Sequence, residues 1–162
     1  MSAPHPLSLG WTVALSGATA LAVLALLPPV VGGEIGAVLH HAFGAICHQL
    51  PERSPHLAGG PIALCHRCFG VAVGLAVGVA AAPALSASLR HRVRAGAQGR
   101  WLIAAALPTA LDWSLGALGV WANTPASRGL TGAVFGLVAG AVLAVNLLHA
   151  PARGAPALYP DA

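Results

Sequence analysis

The sequence predicts an all-α polytopic membrane protein with four transmembrane helices, and its composition and apolar stretches carry this prediction. Hydrophobic residues make up 57% of the 162 residues, charged residues only 7%, and the mean hydropathy is +0.77. A soluble domain carries about 25% charged residues, so eight basic and four acidic side chains cannot cover a water-soluble fold. A water-soluble enzyme, a nucleic-acid-binding domain and a disordered tail are excluded on this ground.

Four apolar stretches are each about as long as the roughly 20 residues that a helix needs to cross a bilayer. The first carries no charge, and it lacks the basic start and short apolar run of a signal peptide, so we expect it to be retained. The four stretches belong to one membrane domain, 1–162, whose partner is the lipid bilayer. They lie at about 11–31, 61–85, 101–120 and 130–149.

Arginines predict the orientation of these spans, because short cytoplasmic loops carry an excess of basic residues. The segment 86–100 holds four of the eight arginines, so it is expected in the cytoplasm. Four spans then place both termini in the cytoplasm, and Arg153 after the last span agrees. The segments 32–60 and 121–129 fall outside. The sequence thus predicts an integral protein of the inner or plasma membrane.

The outer segment 32–60 is expected to contain a further helix, from Glu34 to Gln49. Its apolar side chains recur at helical spacing, and Pro51 ends the run. We predict an interfacial or re-entrant helix that lies over the bundle. The apolar positions are Ile35, Leu39, Phe43 and Ile46.

Two glycine ladders of equal length occur in the second and fourth spans. Small residues at every fourth position let helix backbones approach closely in lipid, so these two spans are predicted to touch. A generally glycine-rich composition is the alternative explanation. The ladders consist of Gly70, Gly74 and Gly78 in the second span and Gly132, Gly136 and Gly140 in the fourth.

All three cysteines of the chain lie close together in the sequence, at Cys47, Cys65 and Cys68. Three thiolates and one imidazole, from His48 or His66, make a complete tetrahedral zinc site. Two other interpretations stay open. The cysteines could be small buried side chains, or a C-x-x-C pair at a helix N-terminus could be a redox dithiol with a depressed pKa.

Asp112 is the only acid inside a predicted span, and a charge at that depth normally has a partner. Arg67 is the first choice of partner and Arg128 the second. The pair could fix helix register or form a substrate or proton site. Glu52 and Arg53 are expected to cap this region from the outer side.

These residues also carry a family resemblance. The order Cys47-His48-Gln49, Pro51-Glu52-Arg53-Ser54 and Cys65-x-Arg67-Cys68-x-Gly70, followed by Leu111-Asp112-Trp113 and Arg128, resembles the uncharacterised membrane-protein family known as domain of unknown function 2085. It covers about 42–140. Phe69 departs from the usual threonine. The resemblance implies the fold and the choice of residues, and no reaction.

The function predicted first is a membrane protein with a metal site, most simply zinc, on its outer face. One alternative is a thiol-disulfide or quinone-linked membrane oxidoreductase. Another is a small transporter or lipid-handling protein that sets Arg67 and Arg128 against an anionic headgroup. Whether the protein is an enzyme, and whether it forms a homo-oligomer, are left open, and no nucleic-acid partner is expected.

Overall fold

A computed structural model describes residues 9–85, 87–94 and 98–148, which are mostly helical. Seven α-helices occur in this part of the chain, with two 3-10 turns at Pro51–Arg53 and Ala82–Ala84 and one hairpin, β1 (His56–Leu57) and β2 (Gly60–Pro61). The helices are α1 (Leu9–Leu26), α2 (Pro28–Val31), α3 (Gly33–Phe43), α4 (His66–Ala81), α5 (Ala87–Arg94), α6 (Gln98–Ala117) and α7 (Pro125–Leu148).

Three of these helices are long and apolar enough to cross a membrane. They are α1, α4 together with its following turn (His66–Ala84), and α7. The third predicted span corresponds to α6, which has 20 residues but is less apolar because it includes Gln98, Arg100 and Asp112. A membrane crossing by α6 therefore stays a prediction. Residue 149 and both termini, including Arg153, lie outside the described residues.

The helix bounds differ from the predicted spans where prolines and caps intervene. The helix α1 ends at Leu26, before Pro28 and Pro29, whose rings cannot donate main-chain hydrogen bonds. The helix α7 begins earlier than predicted, with Pro125 in its first turn. Thr124 and Ser127 cap it reciprocally, since each main-chain N–H donates to the other hydroxyl at 3.0–3.1 Å.

The centre of the fold is the contact between α4 and α7, where the two glycine ladders face each other. A β-carbon at any of the six positions would collide with a main-chain carbonyl of the opposite helix. For Gly70, Gly74 and Gly78 the carbonyls are those of Gly129, Ala133 and Leu137. For Gly132, Gly136 and Gly140 they are those of Arg67, Val71 and Leu75. The two backbones are therefore in direct contact along the whole ladder.

The other helices pack around this pair. The Trp11 indole of α1 donates a hydrogen bond of 2.9 Å to the Val79 carbonyl of α4. The Thr109 hydroxyl of α6 donates to the Thr131 carbonyl of α7, also at 2.9 Å. The helices α1 and α6 are thus each fixed to the α4–α7 pair by a hydrogen bond to a main-chain carbonyl.

The segment between α1 and α4 is less helical than predicted, since α3 ends at Phe43 and not at Gln49. Gln49 has a positive φ of 50°, and its side-chain amide donates to the carbonyls of His40 (2.5 Å) and Ala63 (2.9 Å). The first of these bonds satisfies the His40 carbonyl, which has no partner within α3 because the helix ends at Phe43. The hairpin that follows turns at Ala58 and Gly59, both with positive φ, as a two-residue hairpin loop requires.

Candidate metal centre and adjacent ion pair

The three cysteines reach one place from two segments. Cys47 comes from the turn that follows α3, while Cys65 and Cys68 flank the start of α4. Cys65 is not helical: with φ −68° and ψ 161° it is the residue that precedes the first turn. Cys68 lies in that first turn, and helical side chains lean toward the N-terminus. Both thiols therefore face the incoming chain that holds Cys47.

The three sulfur atoms lie within 4.8 Å of one another. A tetrahedral zinc ion with Zn–S bonds of about 2.3 Å needs sulfurs about 3.5–4 Å apart, so this arrangement is close to that of a ligand set. Cys47 is buried, Cys65 and Cys68 are half-buried, and all three are free thiols. Phe43 and Leu64 enclose the group in an apolar cluster.

Hydrogen bonds within the cluster favour a thiolate at Cys65. The Cys47 side chain contributes most to lowering the pKa of Cys65, followed by the Cys68 side chain, and burial only partly opposes them. The main-chain N–H groups of Cys68 and Arg67 lower it further. One deprotonated sulfur held by two thiols is a ready acceptor for a thiophilic cation.

The structure leaves the predicted imidazole ligands outside this group. His48 is exposed, and the His66 ring donates from Nδ1 to the Arg53 carbonyl at 2.7 Å. Neither ring belongs to the set of neighbouring ligand atoms in the described part of the chain. Among the described residues, the cluster therefore consists of the three cysteine sulfurs.

Arg67, which lies in the first turn of α4 between Cys65 and Cys68, pairs with Asp112 of α6. The distance from Nη2 to Oδ2 is 2.5 Å, and the side chains are 20% and 7% exposed. Arg67 Nε is buried without a hydrogen-bond partner. The pair joins α4 to α6, and it is the one ion pair among the described residues.

The turn between α6 and α7 supports Asp112. The Asn123 amide donates to the Asp112 main-chain carbonyl at 2.5 Å, and Ser127 also interacts with the Asp112 carboxyl. Asn123 can approach because Gly116 has no side chain. The side-chain amide of Asn123 occupies the space that a β-carbon at Gly116 would fill. The sequence predicts no role for the side chains of Asn123 and Ser127, because both fall in the predicted outer segment 121–129; in the structure they lie just before and within the first turn of α7.

The remaining predicted site residues lie apart from the ion pair. Arg128 is half-buried in α7 and forms no ion pair with any residue that the structure describes. Glu52 and Arg53 are exposed in the Pro51–Arg53 turn, where Arg53 contributes its carbonyl to His66. Neither of these two side chains contacts Arg67 or Asp112 through a hydrogen bond or ion pair within the described residues.

The residues of this site lie in the part of the chain that matches a known protein family. The family model described as "Predicted membrane protein (DUF2085)" matches residues 47–142, which include the three cysteines and both charges of the pair. An uncharacterized protein of Methanocaldococcus jannaschii is 31% identical over 103 residues, 63% of this chain and 64% of that protein. The aligned region thus spans slightly less than two thirds of the relative. No solved structure matches significantly. Because the family model covers more than half of the chain, this protein belongs to the DUF2085 family of predicted membrane proteins.

Proposed function

We propose that the protein binds one thiophilic metal ion, zinc, through Cys47, Cys65 and Cys68. The observation that carries the proposal is the convergence of all three cysteines of the chain within 4.8 Å, from segments 18 residues apart. Buried cysteines that served only as small apolar side chains would have no reason to meet. Thiolates are preferred zinc ligands, and the lowered pKa of Cys65 supplies one of them at neutral pH.

The fourth ligand distinguishes two kinds of zinc site. Structural sites have four protein ligands, whereas sites with three leave a position for water or a substrate. His66 would have to release the Arg53 carbonyl to bind the ion, and His48 would have to turn inward from the surface. The arrangement therefore favours a three-sulfur site with an exchangeable fourth ligand.

Metal binding here would fasten the chain after α3 to the start of α4. The main-chain N–H of Cys65 already donates a hydrogen bond to the sulfur of Cys47, so the ion would reinforce an existing contact. Because metal affinity adds to the free energy of unfolding when only the folded state binds, the loaded protein is expected to be the more stable form.

The proposed setting is a four-span protein of the inner or plasma membrane, with this site on the outer face and both termini in the cytoplasm. The burial of Asp112 against Arg67 supports α6 as the fourth span, because a paired charge is tolerated at membrane depth. The exposed apolar side chains of Ile35 and Val38 support an interfacial position for α3.

Elemental analysis of the detergent-purified protein tests the metal site. We expect about one zinc ion per chain, as a single tetrahedral site requires, and its loss in Cys47→Ser, Cys65→Ser and Cys68→Ser. His91→Gln, with an exposed histidine on α5, is the control and should keep the metal. His66→Gln tests whether an imidazole completes the site.

A metal-free wild type would contradict the proposal. If that protein also carried a reducible Cys65–Cys68 disulfide, the cluster would be the site of a thiol-disulfide oxidoreductase instead. Thiol counting before and after reduction, with the same preparations, separates the two functions.

A further inference from the structure

The helix α5 lies where the chain leaves the membrane. The span that contains α4 ends at Ala84, and α5 begins at Ala87, so the link between them reaches at most about 10 Å. The cysteines lie at the other end of α4. The helix α5 is therefore at the membrane surface opposite the proposed metal site.

Two side chains fix α5 against the bundle. Arg90 donates from Nη1 to the carbonyls of Pro83 (3.0 Å) and Leu85 (2.6 Å), which follow the end of α4. Val93 is 8% exposed and packs in the apolar cluster with Trp11 and Val145. These contacts use Arg90 within the protein and hold the rest of α5 in a defined orientation.

Among the described residues, the side chains of Arg92 and Arg100 have no such partners. Arg92 and Arg100 are exposed, and no acidic residue occurs in the sequence between Glu52 and Asp112. Asp112 is paired with Arg67, so the described residues offer no carboxylate to either arginine. Trp101, which follows Arg100, is 42% exposed. Tryptophan is enriched where the bilayer meets water, so it marks the depth of this surface.

We propose that Arg92, Arg100 and Trp101 form a binding surface for the phosphate headgroups of anionic phospholipids, here called the basic surface. A guanidinium binds phosphate oxygens with two parallel hydrogen bonds, and arginines beside a membrane helix are attracted to anionic lipids. The indole enters the headgroup region beside the bound lipid. The proposal does not depend on metal binding at the cysteines.

Native mass spectrometry of the full chain in detergent tests this surface. The protein is titrated with phosphatidylglycerol or with phosphatidylcholine of the same acyl chains, and the retained lipid is counted. We expect phosphatidylglycerol to bind more tightly. Each arginine near an anionic membrane surface contributes about fivefold, so Arg92→Gln/Arg100→Gln should weaken phosphatidylglycerol binding roughly 25-fold.

Two further variants make the test specific. Arg53→Gln removes an exposed arginine near the other end of α4 and should leave phosphatidylglycerol binding unchanged. Arg92→Lys/Arg100→Lys keeps both charges and should retain most of the binding, which separates lost charge from misfolding. For the wild type, 0.5 M salt should weaken phosphatidylglycerol binding and leave phosphatidylcholine binding nearly unchanged.

Equal affinities for the two lipids would overturn the proposal, and so would unchanged phosphatidylglycerol binding in the glutamine double variant. Co-purification of RNA or an acidic protein that the same double variant releases, without any lipid preference, would assign the basic surface to that partner and overturn the proposal as well.

Discussion

The main-chain N–H of Cys65 donates a hydrogen bond to the sulfur of Cys47 at 3.2 Å. This bond joins the residue that precedes α4 to the turn after α3. It holds Cys47 and Cys65 next to each other, and the first turn of α4 adds the third sulfur, that of Cys68. The geometry of the cluster therefore comes from the backbone at the start of α4 as well as from the side chains.

The first prediction concerns the reactivity of Cys65 in metal-free protein. The pKa of Cys65 is lowered, first by the Cys47 side chain, so we expect this thiol to be ionised at neutral pH. Its alkylation rate should be nearly constant from pH 6 to 8, whereas an ordinary thiol, with a pKa of about 8.5, reacts roughly tenfold faster per pH unit. Peptide mapping after iodoacetamide measures the rate at each cysteine.

Cys47→Ala is the informative variant for this prediction. Without the Cys47 thiol, the pKa of Cys65 rises toward its ordinary value, so alkylation at pH 6 should slow and become dependent on pH. A rate at Cys65 that climbs tenfold per pH unit in the wild type would contradict the assignment of the thiolate.

The second prediction is that the glycine ladders do not accept a side chain. A β-carbon at Gly74 or Gly136 meets the carbonyl of Ala133 or Val71. Gly74→Ala and Gly136→Ala should each lower the free energy of unfolding by about 1–3 kcal/mol, because the helices must separate. Thermal unfolding in detergent measures the change.

Gly17→Ala in α1 is the matched control for the ladders. A β-carbon there meets nothing within 4 Å, so the variant should be unchanged or more stable, by up to about 1 kcal/mol. Ladder variants as stable as this control would argue that α4 and α7 do not touch along these faces.

The third prediction concerns the pairing of Arg67 with Asp112. Arg67→Gln or Asp112→Asn alone should cost about 3–5 kcal/mol, because each leaves a charge in an apolar setting without its partner. The double variant should cost less than the sum of the two. Unfolding of all four proteins completes the cycle, and strictly additive costs would refute the coupling.

The fourth prediction concerns the close approach of the Asn123 side chain to Gly116. Gly116→Ala displaces the Asn123 amide and breaks its hydrogen bond to the Asp112 carbonyl. We expect a loss of about 0.5–1.5 kcal/mol in the free energy of unfolding, since the side chain can move aside and one hydrogen bond is lost. Gly99→Ala, in the same helix with open space around it, should show no such loss.

The fifth prediction is the topology. A reporter fused at the hairpin tip, at Gly59, should lie outside, and one fused after residue 95 should lie in the cytoplasm. The opposite pattern would invert the whole arrangement, because both segments flank the same span, His66–Ala84.

The sequence was most informative where chemistry and spacing act locally. The membrane class and the family follow from composition and from motifs of fixed spacing. The ladders on α4 and α7 follow from one residue type repeated every four positions. Asp112 is the only acid in the apolar stretches and so needs a basic partner, for which the sequence predicts Arg67 first and Arg128 second.

Other features depend on contacts that periodicity does not reveal. The helix α3 ends at Phe43, and the side-chain amide of Gln49 then bonds to the carbonyls of His40 and Ala63. The pattern of apolar residues continues past Phe43, to Ile46, and therefore does not predict the end of the helix. Sequence distance predicts that His48 and His66 lie near the sulfurs. In the structure, the His66 ring instead donates a hydrogen bond to the Arg53 carbonyl. Glu52 and Arg53 lie in the exposed Pro51–Arg53 turn.

The contact between α4 and α7 has a mechanical consequence. Where two backbones touch, no side chain stands between them whose rotamer could change, so the pair behaves as a rigid frame. The cysteines pack with residues of α1 and α3, whereas Asp112 is carried by α6. The frame itself cannot transmit a hinge motion between them. The most direct connection between the three sulfurs and the ion pair is therefore the first turn of α4, where Cys68 directly follows Arg67.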